Sequence, residues 1–320
     1  MTSTSSQHPV RLYDTILVGV DEGNQSMDAL LLAEMLAEPS EARLIVTHVS
    51  PVSRWVAEGM REEVTRAIAE RAQEILAPAR RAVGHVNAVE FRTLADDCVP
   101  RALNKLAQEE KADLLVLGSA RSAGLGRVMP GSVSGQSLNG LQCQVALAPQ
   151  GFHLGVFPPS LDVIGVAHDG CAESKHALGL SSELALQLHA ALRVIRVLDP
   201  AKVIGPLAYA YGIPPHASHF VDVRKTTNDE IAEIVAQSPV PTRSAILDGP
   251  EAKQLIDSSH EVSLLVLGSR GYGTAHQVLI GSTSSKVVRS ARCPVLVVPR
   301  GGSPCAELSD TRVELAAISG

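Results

Sequence analysis

Leu114-Leu-Val-Leu-Gly-Ser119 and Leu264-Leu-Val-Leu-Gly-Ser269 are the same six residues, met twice and 150 positions apart. Four apolar residues stopped by Gly-Ser read as a strand buried on both faces that ends in a turn. The likeness extends outward from this pair. Asp14-Thr-Ile-Leu-Val-Gly-Val-Asp21 is matched by Asp162-Val-Ile-Gly-Val-Ala-His-Asp169, and each terminal Asp is followed by a Ser (Ser26, Ser174) and then an Ala (Ala29, Ala177) at the same spacing. Gly131-Ser132 is matched by Gly281-Ser282, and Cys143-Gln-Val-Ala-Leu-Ala-Pro149 by Cys293-Pro-Val-Leu-Val-Val-Pro299. A period of this length is a whole domain, whereas solenoid repeats run to about 20–50 residues.

Each half alternates short Val/Leu/Ile runs with helical patterns, the signature of parallel strands joined by right-handed crossovers. Strands are expected at 14–20, 43–49, 88–94, 113–118 and 144–148, and again at 162–167, 192–198, 241–247, 263–268 and 294–298. Helices are expected at 25–37, 57–82, 98–109 and 132–141. The fold class is α/β: two tandem doubly wound domains, each a five-stranded parallel sheet flanked by helices. The domains are placed at 1–155 and 156–302, parted near Phe157-Pro-Pro-Ser160, with a flexible tail over 303–320. Residues 201–221, rich in Pro, Gly, Ala and His, receive no assignment.

Composition excludes several classes. Aromatic residues make up only 3%, so the cores are aliphatic. The net charge of −6, with no block of Lys or Arg, gives no electrostatic footprint for nucleic acid. The five cysteines form no C-x-x-C pair, which argues against a disulfide framework and for a reducing compartment. The first ten residues lack an apolar signal core, and no apolar run reaches the roughly 18 residues of a membrane helix. The expectation is a soluble, cytoplasmic protein without nucleic-acid or membrane partners.

In open α/β sheets ligands bind beyond the carboxyl ends of the strands, where strand order reverses. Two features fall there. One is the Asp after each first strand, Asp21 and Asp169. The other is the long segment after the eponymous Leu-Leu-Val-Leu strand of the second half, from Gly268-Ser-Arg-Gly271 to Gly281-Ser282-Thr283-Ser284. Strand-to-helix loops ordinarily run about 2–6 residues, and longer ones are often functional. Glycines permit close backbone approach, and the helix opening at Ser282 offers unpaired N–H groups and hydroxyls to a polyphosphate. The same glycines could simply make turns, with Ser282 a plain helix cap. No G-x4-G-K-(S/T), no G-x-G-x-x-G after a first strand, no H-E-x-x-H and no G-x-S-x-G is present. His216 and His219 lack further metal ligands and read as solvent-exposed. His168 is either a site base or, the preferred reading, a buried His satisfied by hydrogen bonds. Cys143 and Cys293 read as small core residues.

The second half resembles a universal stress protein domain, and the resemblance runs in two copies over about residues 12–300. Gly268, Gly271, Gly281 and Ser282 match every position of the G-x2-G-x9-G-(S/T) pattern carried by the ATP-binding members. The resemblance implies that Asp169 and the backbone of Ala167 sit against the adenosine and that Val197 borders the base. It implies that Gly268, Ser269, Gly271, Gly281, Ser282 and Thr283 hold ribose and phosphates. Arg270 either assists the phosphates or is a solvated loop residue. The first half keeps Gly19, Asp21, Gly118, Gly131 and Ser132 but has Arg121 where the second glycine belongs, so its site is expected to be weaker or differently shaped. The implied cofactor is ATP, with or without Mg, acting as a regulatory ligand in stress adaptation, and no residue is assigned a catalytic or metal-binding role. A slow ATPase or nucleotidyl-transfer enzyme and a nucleotide-free interaction protein stay open as alternatives. The two domains are expected to mimic a dimer within one chain, their last strands able to pair, with homo-oligomers also open.

Overall fold

The computed structural model describes residues 11–52, 61–84, 86, 88–131, 143–155, 157, 160–204, 217–269 and 281–299. Ten strands form: β1 (Thr15–Gly19), β2 (Arg43–Pro51), β3 (Val89–Asp96), β4 (Leu114–Gly118), β5 (Gln144–Ala148), β6 (Val163–Ala167), β7 (Ala191–Leu198), β8 (Thr242–Asp248), β9 (Leu264–Gly268) and β10 (Val295–Val298). Each starts and stops within two residues of its sequence expectation. They belong to one sheet, in the order β3-β2-β1-β4-β5-β10-β9-β6-β7-β8. Within each half the five strands are parallel. The halves meet where β5 and β10 pair antiparallel, with Ala146 opposite Leu296.

The five parallel strands expected of each half are present, but they belong to a single ten-stranded mixed sheet, joined by the pairing of the last strands that the sequence left open. The reason is local. Every residue of β5 and β10 is buried, and a buried strand edge cannot leave its N–H and C=O groups unpaired. Pairing each last strand with the other satisfies both edges at once. The outer strands are different: β3 alternates between exposed and half-buried residues, as an edge strand facing water on one side does.

Helices cover both faces. One face carries α1 (Gln25–Ala37), α2 (Arg61–Ala82), α4 (Ala172–Gln187) and α6 (Ala217–Gln237); the other carries α3 (Val99–Glu109), α7 (Glu251–Ser258) and α8 (Ser282–Val288). A short helix, α5 (Pro200–Ile204), follows β7. In α2, Glu62 and Glu63 open the helix and Arg80 and Arg81 close it, each charge complementing the helix dipole. The expected helix at 132–141 and the tail lie outside the described residues, as do residues 205–216 of the unassigned stretch. Neither core stops at the joint. The first runs from Leu36 and Leu76 to Leu184 and Ile231, the second from Leu103 to Leu255 and Val287.

Polar contacts also cross the boundary. Val128 N–H donates to Ala291 O at 2.9 Å. Asp28, 1% exposed on α1, accepts from the N–H groups of Gly151 and His153 and lies 2.6 Å from His153 Nδ1, pinning the connector to the first half. Strand order reverses between β1 and β4 and, in the second half, between β6 and β9, so the carboxyl ends of those strands open a crevice in each half.

Candidate functional site

The crevice of the second half is lined by Ala167, Asp169 and Val197 at strand ends, by Gly268, and by Gly281, Ser282 and Thr283 at the start of α8. The structure thus brings seven of the residues singled out from the sequence to one cleft. Ser269 lies directly after Gly268 and is fully buried, its N–H donating to Val298 O at 2.9 Å. Arg270 and Gly271 lie outside the described residues, as does Ser132 of the first half. Ile195, Leu255 and Leu267 complete an apolar wall.

The turn after β6 explains how Asp169 is presented. Gly170 takes φ +86°, a conformation that favours glycine. Asp169 Oδ1 accepts the Cys171 N–H at 3.1 Å, and Cys171 caps α4 by accepting the Ser174 N–H on its sulfur at 3.4 Å. Burial, followed by the neighbouring Asp169 carboxylate, raises the Cys171 pKa and keeps the thiol protonated.

Gly268 has a packing role besides the one its spacing suggests. Its φ is not positive; instead a Cβ there would lie 2.9 Å from the carbonyl oxygen of Glu173 at the start of α4. Gly118 is tighter still, at 2.3 Å from Gln25 O on α1. In both halves this glycine lets the first helix approach the fourth strand, and Gly19 makes room in the same way for Leu117.

Three polar atoms around the second cleft are buried without partners: His168 Nδ1, Ser269 Oγ and Arg196 Nε. His168 is buried as the sequence suggested; its main-chain N–H donates to Ile195 O at 2.9 Å and its carbonyl accepts from Arg196 at 3.3 Å, but its ring Nδ1 lacks the partner expected of a satisfied His. Burial lowers its pKa below the ordinary imidazole value and keeps the ring neutral. Thr283, expected to face phosphate, donates its hydroxyl to Glu251 Oε2 at 3.1 Å, and Lys202 Nζ lies 2.6 Å from the same oxygen.

The first half builds the corresponding cleft from Gly19, Asp21, Thr47, Val49, Gly118 and Gly131. It encloses about 510 Å³ against about 90 Å³ in the second. Asp21 Oδ1 accepts the Gly23 N–H at 2.7 Å and the Ser26 hydroxyl at 3.0 Å, while Arg121 lies 3.5 Å from Oδ2 across the mouth. Ser119, the counterpart of Ser269, is engaged: its hydroxyl donates to Ala148 O at 2.6 Å and accepts the Met129 N–H at 3.3 Å. The loop behind it folds back on itself, with Ala120 N–H on Met129 O and Gly126, at φ +73°, donating to Gln150 O.

A family model described as the universal stress protein family matches residues 12–149 and, a second time, 161–299. The chain belongs to the universal stress protein family. A universal stress protein of Mycolicibacterium smegmatis is 28% identical over 88% of this chain and 96% of its own length. One from Mycobacterium tuberculosis is 26% identical over 89% of this chain and 99% of its own. The fold also matches the crystal structure of a universal stress protein from Archaeoglobus fulgidus, with a TM-score of 0.61 at 20% identity over 90% of this chain and 98% of that one. Both universal stress protein domains are thus present in tandem.

Cys143 and Cys293 sit buried just before β5 and β10, as expected of core residues; burial pushes Cys143 up to about 12 and raises Cys293 as well. Among the described residues, no group of three or more His, Cys, Asp or Glu is placed to hold a metal ion, and no helix is long and apolar enough to cross a membrane. Glu251 is a polar cleft residue that sequence reasoning missed, and Lys202 is its ion-pair partner. The signal was present: laid against the first half, Glu251 falls on Val99, four residues ahead of the matching pair Leu255 and Leu103.

Proposed function

We propose that this universal stress protein binds an adenine nucleotide, ATP foremost, in the cleft of its second domain, and that the nucleotide acts as a regulatory ligand. The observation that carries the reading is convergence. The strand-end residues Ala167, Asp169, Val197 and Gly268 and the helix start Gly281–Thr283 come from three separate stretches of sequence and line one crevice at the strand-order reversal. These are the positions that the family's ATP-binding pattern occupies. The unpartnered His168 Nδ1 and Ser269 Oγ add polar capacity that the protein alone leaves unused. Mg would accompany the phosphates, held chiefly by the nucleotide itself. The first domain, with Arg121 against Asp21, takes the lesser share.

Rapid turnover is not part of the reading. Catalysis needs a base within hydrogen-bond reach of the attacking group. His168 is buried and kept neutral, but its depressed pKa makes it a weak base. The domains act together as an intramolecular counterpart of a dimer, through the β5–β10 joint. Calorimetric titration of the nucleotide-stripped protein tests the proposal. It predicts saturable, adenine-selective binding, with phosphate release near background. The absence of heat, and of competition with a fluorescent ATP analogue at millimolar nucleotide, contradicts binding. Sustained turnover in the common enzyme range of about 1–10³ per second contradicts the regulatory role.

A further inference from the structure

The clefts differ at a position that no motif marks. The helix after the third strand of each half begins with Val99 in the first and with Glu251 in the second, and both residues line their clefts. Val99 offers only methyl groups. Glu251 brings a carboxylate whose side chain is 17% exposed. Its Oε2 accepts the Thr283 hydroxyl at 3.1 Å and lies 2.6 Å from Lys202 Nζ. The three residues belong to α7, α8 and α5, so the bridge ties three elements together around one cleft. That cleft encloses about 90 Å³, short of the ~300–1,000 Å³ typical of small-molecule sites.

A hydroxyl donates one hydrogen bond, so Thr283 cannot serve Glu251 and a phosphate at once. Two anions within reach of one hydroxyl also repel strongly where water is partly excluded. Lys202 supplies the counter-charge, and its flexible stem allows it to change partners. We propose, resting on the nucleotide reading above, that Glu251 is the specificity-determining residue of the second cleft. Its bridge to Lys202 and Thr283 holds the cleft narrow and electronegative, and a polyphosphate enters by exchange, replacing the carboxylate on Thr283 and Lys202. The penalty that Glu251 imposes grows with the charge of the ligand and is absent for a neutral nucleoside.

The test is calorimetric titration of adenosine, AMP and ATP into the full chain as wild type, Glu251→Gln and Glu251→Val. Glu251→Gln keeps the shape and removes the charge; Glu251→Val gives the second cleft the residue of the first. Both should bind ATP at least about tenfold tighter than wild type, AMP by a smaller factor, and adenosine within about twofold. Adding Lys202→Met to Glu251→Gln should return ATP affinity toward the wild-type value. If wild type binds ATP and Glu251→Gln binds it equally or more weakly, the proposal is overturned while the nucleotide reading stands. An equal gain for adenosine and ATP overturns it too, because the residue then acts through size alone. If wild type and both variants bind none of the three ligands, the nucleotide reading falls and this proposal falls with it.

Discussion

The two clefts occupy the same place in two copies of one fold, yet they are obstructed in different ways. In the first, the interior is roomy and the obstacle stands at the mouth, where Arg121 reaches Asp21 between two well-exposed side chains. Such surface pairs contribute about 0–1 kcal/mol and are easily broken. In the second, the obstacle is inside, in the Glu251 bridge. What the copies share is scaffold: Gly118 and Gly268 admit the first helix, Asp21 and Asp169 close the same turn, and Ser119 and Ser269 are both buried. What they do not share is Val99 against Glu251 in the cleft wall, and the bonded hydroxyl of Ser119 against the unpartnered one of Ser269. Duplication has kept the geometry and let the chemistry diverge.

The largest expected effect concerns the joint through which the halves are compared. Leu296 is fully buried opposite Ala146. Leu296→Ala should cost about 2–5 kcal/mol and, if the sheet is one cooperative unit, should lower amide-exchange protection in β1 as well as in β6. Loss confined to the second half would separate the two domains energetically. The shared glycines come next. Gly118→Ala and Gly268→Ala should each destabilise, within the roughly 1–3 kcal/mol of an overpacked core, and Gly118→Ala more, because its new Cβ meets backbone oxygen at 2.3 Å rather than 2.9 Å. Chemical denaturation of the two variants gives the order directly. The reverse order would mean that the second helix start is the more rigid.

The smallest effect is a titration that only the second half has, since Val20 stands where His168 does. The folded-state pKa of His168 lies below the ordinary value of about 6.5. Above that pH neither folded nor unfolded chain carries the proton. Below it the unfolded chain binds a proton that the folded chain resists, so stability falls as the solution is acidified. Denaturation midpoints between pH 7.5 and 5.5 should therefore fall more for wild type than for His168→Gln. Equal slopes would show that the buried ring does not resist protonation.

How much of this was legible in the residues follows from where the residues sit. The central strands were readable because burial on both faces leaves an unbroken apolar run, as in Leu114–Leu117 and Leu264–Leu267. The edge strands were readable from their turns rather than from apolar content. The single sheet was less so: nothing in Gln144–Ala148 or Val295–Val298 states that the two edges will meet, although two buried, mostly apolar last strands are able to pair. The packing role of Gly268 was not legible, because spacing cannot show that a helix carbonyl also approaches it. Glu251 was passed over for another reason. A glutamate in the first turn after a proline is an ordinary helix start, and only the fold turns that helix start into a cleft wall.

The central claim is that the second cleft is the principal nucleotide site, and the protein's own asymmetry tests it. Arg121 and Gly271 are equivalent positions in the two copies. Gly271→Arg gives the second loop the residue of the first, which the first domain already accommodates in an otherwise parallel sequence. The measurement is a melting curve of wild type and Gly271→Arg, each with and without ATP. At ATP 100-fold above its dissociation constant, wild type should gain about 2.7 kcal/mol, or several degrees at roughly 2–4 °C per kcal/mol. Gly271→Arg should melt close to wild type without ATP and lose that gain. Retention of the full ATP-induced shift by Gly271→Arg would contradict the account and move the principal site to the first cleft.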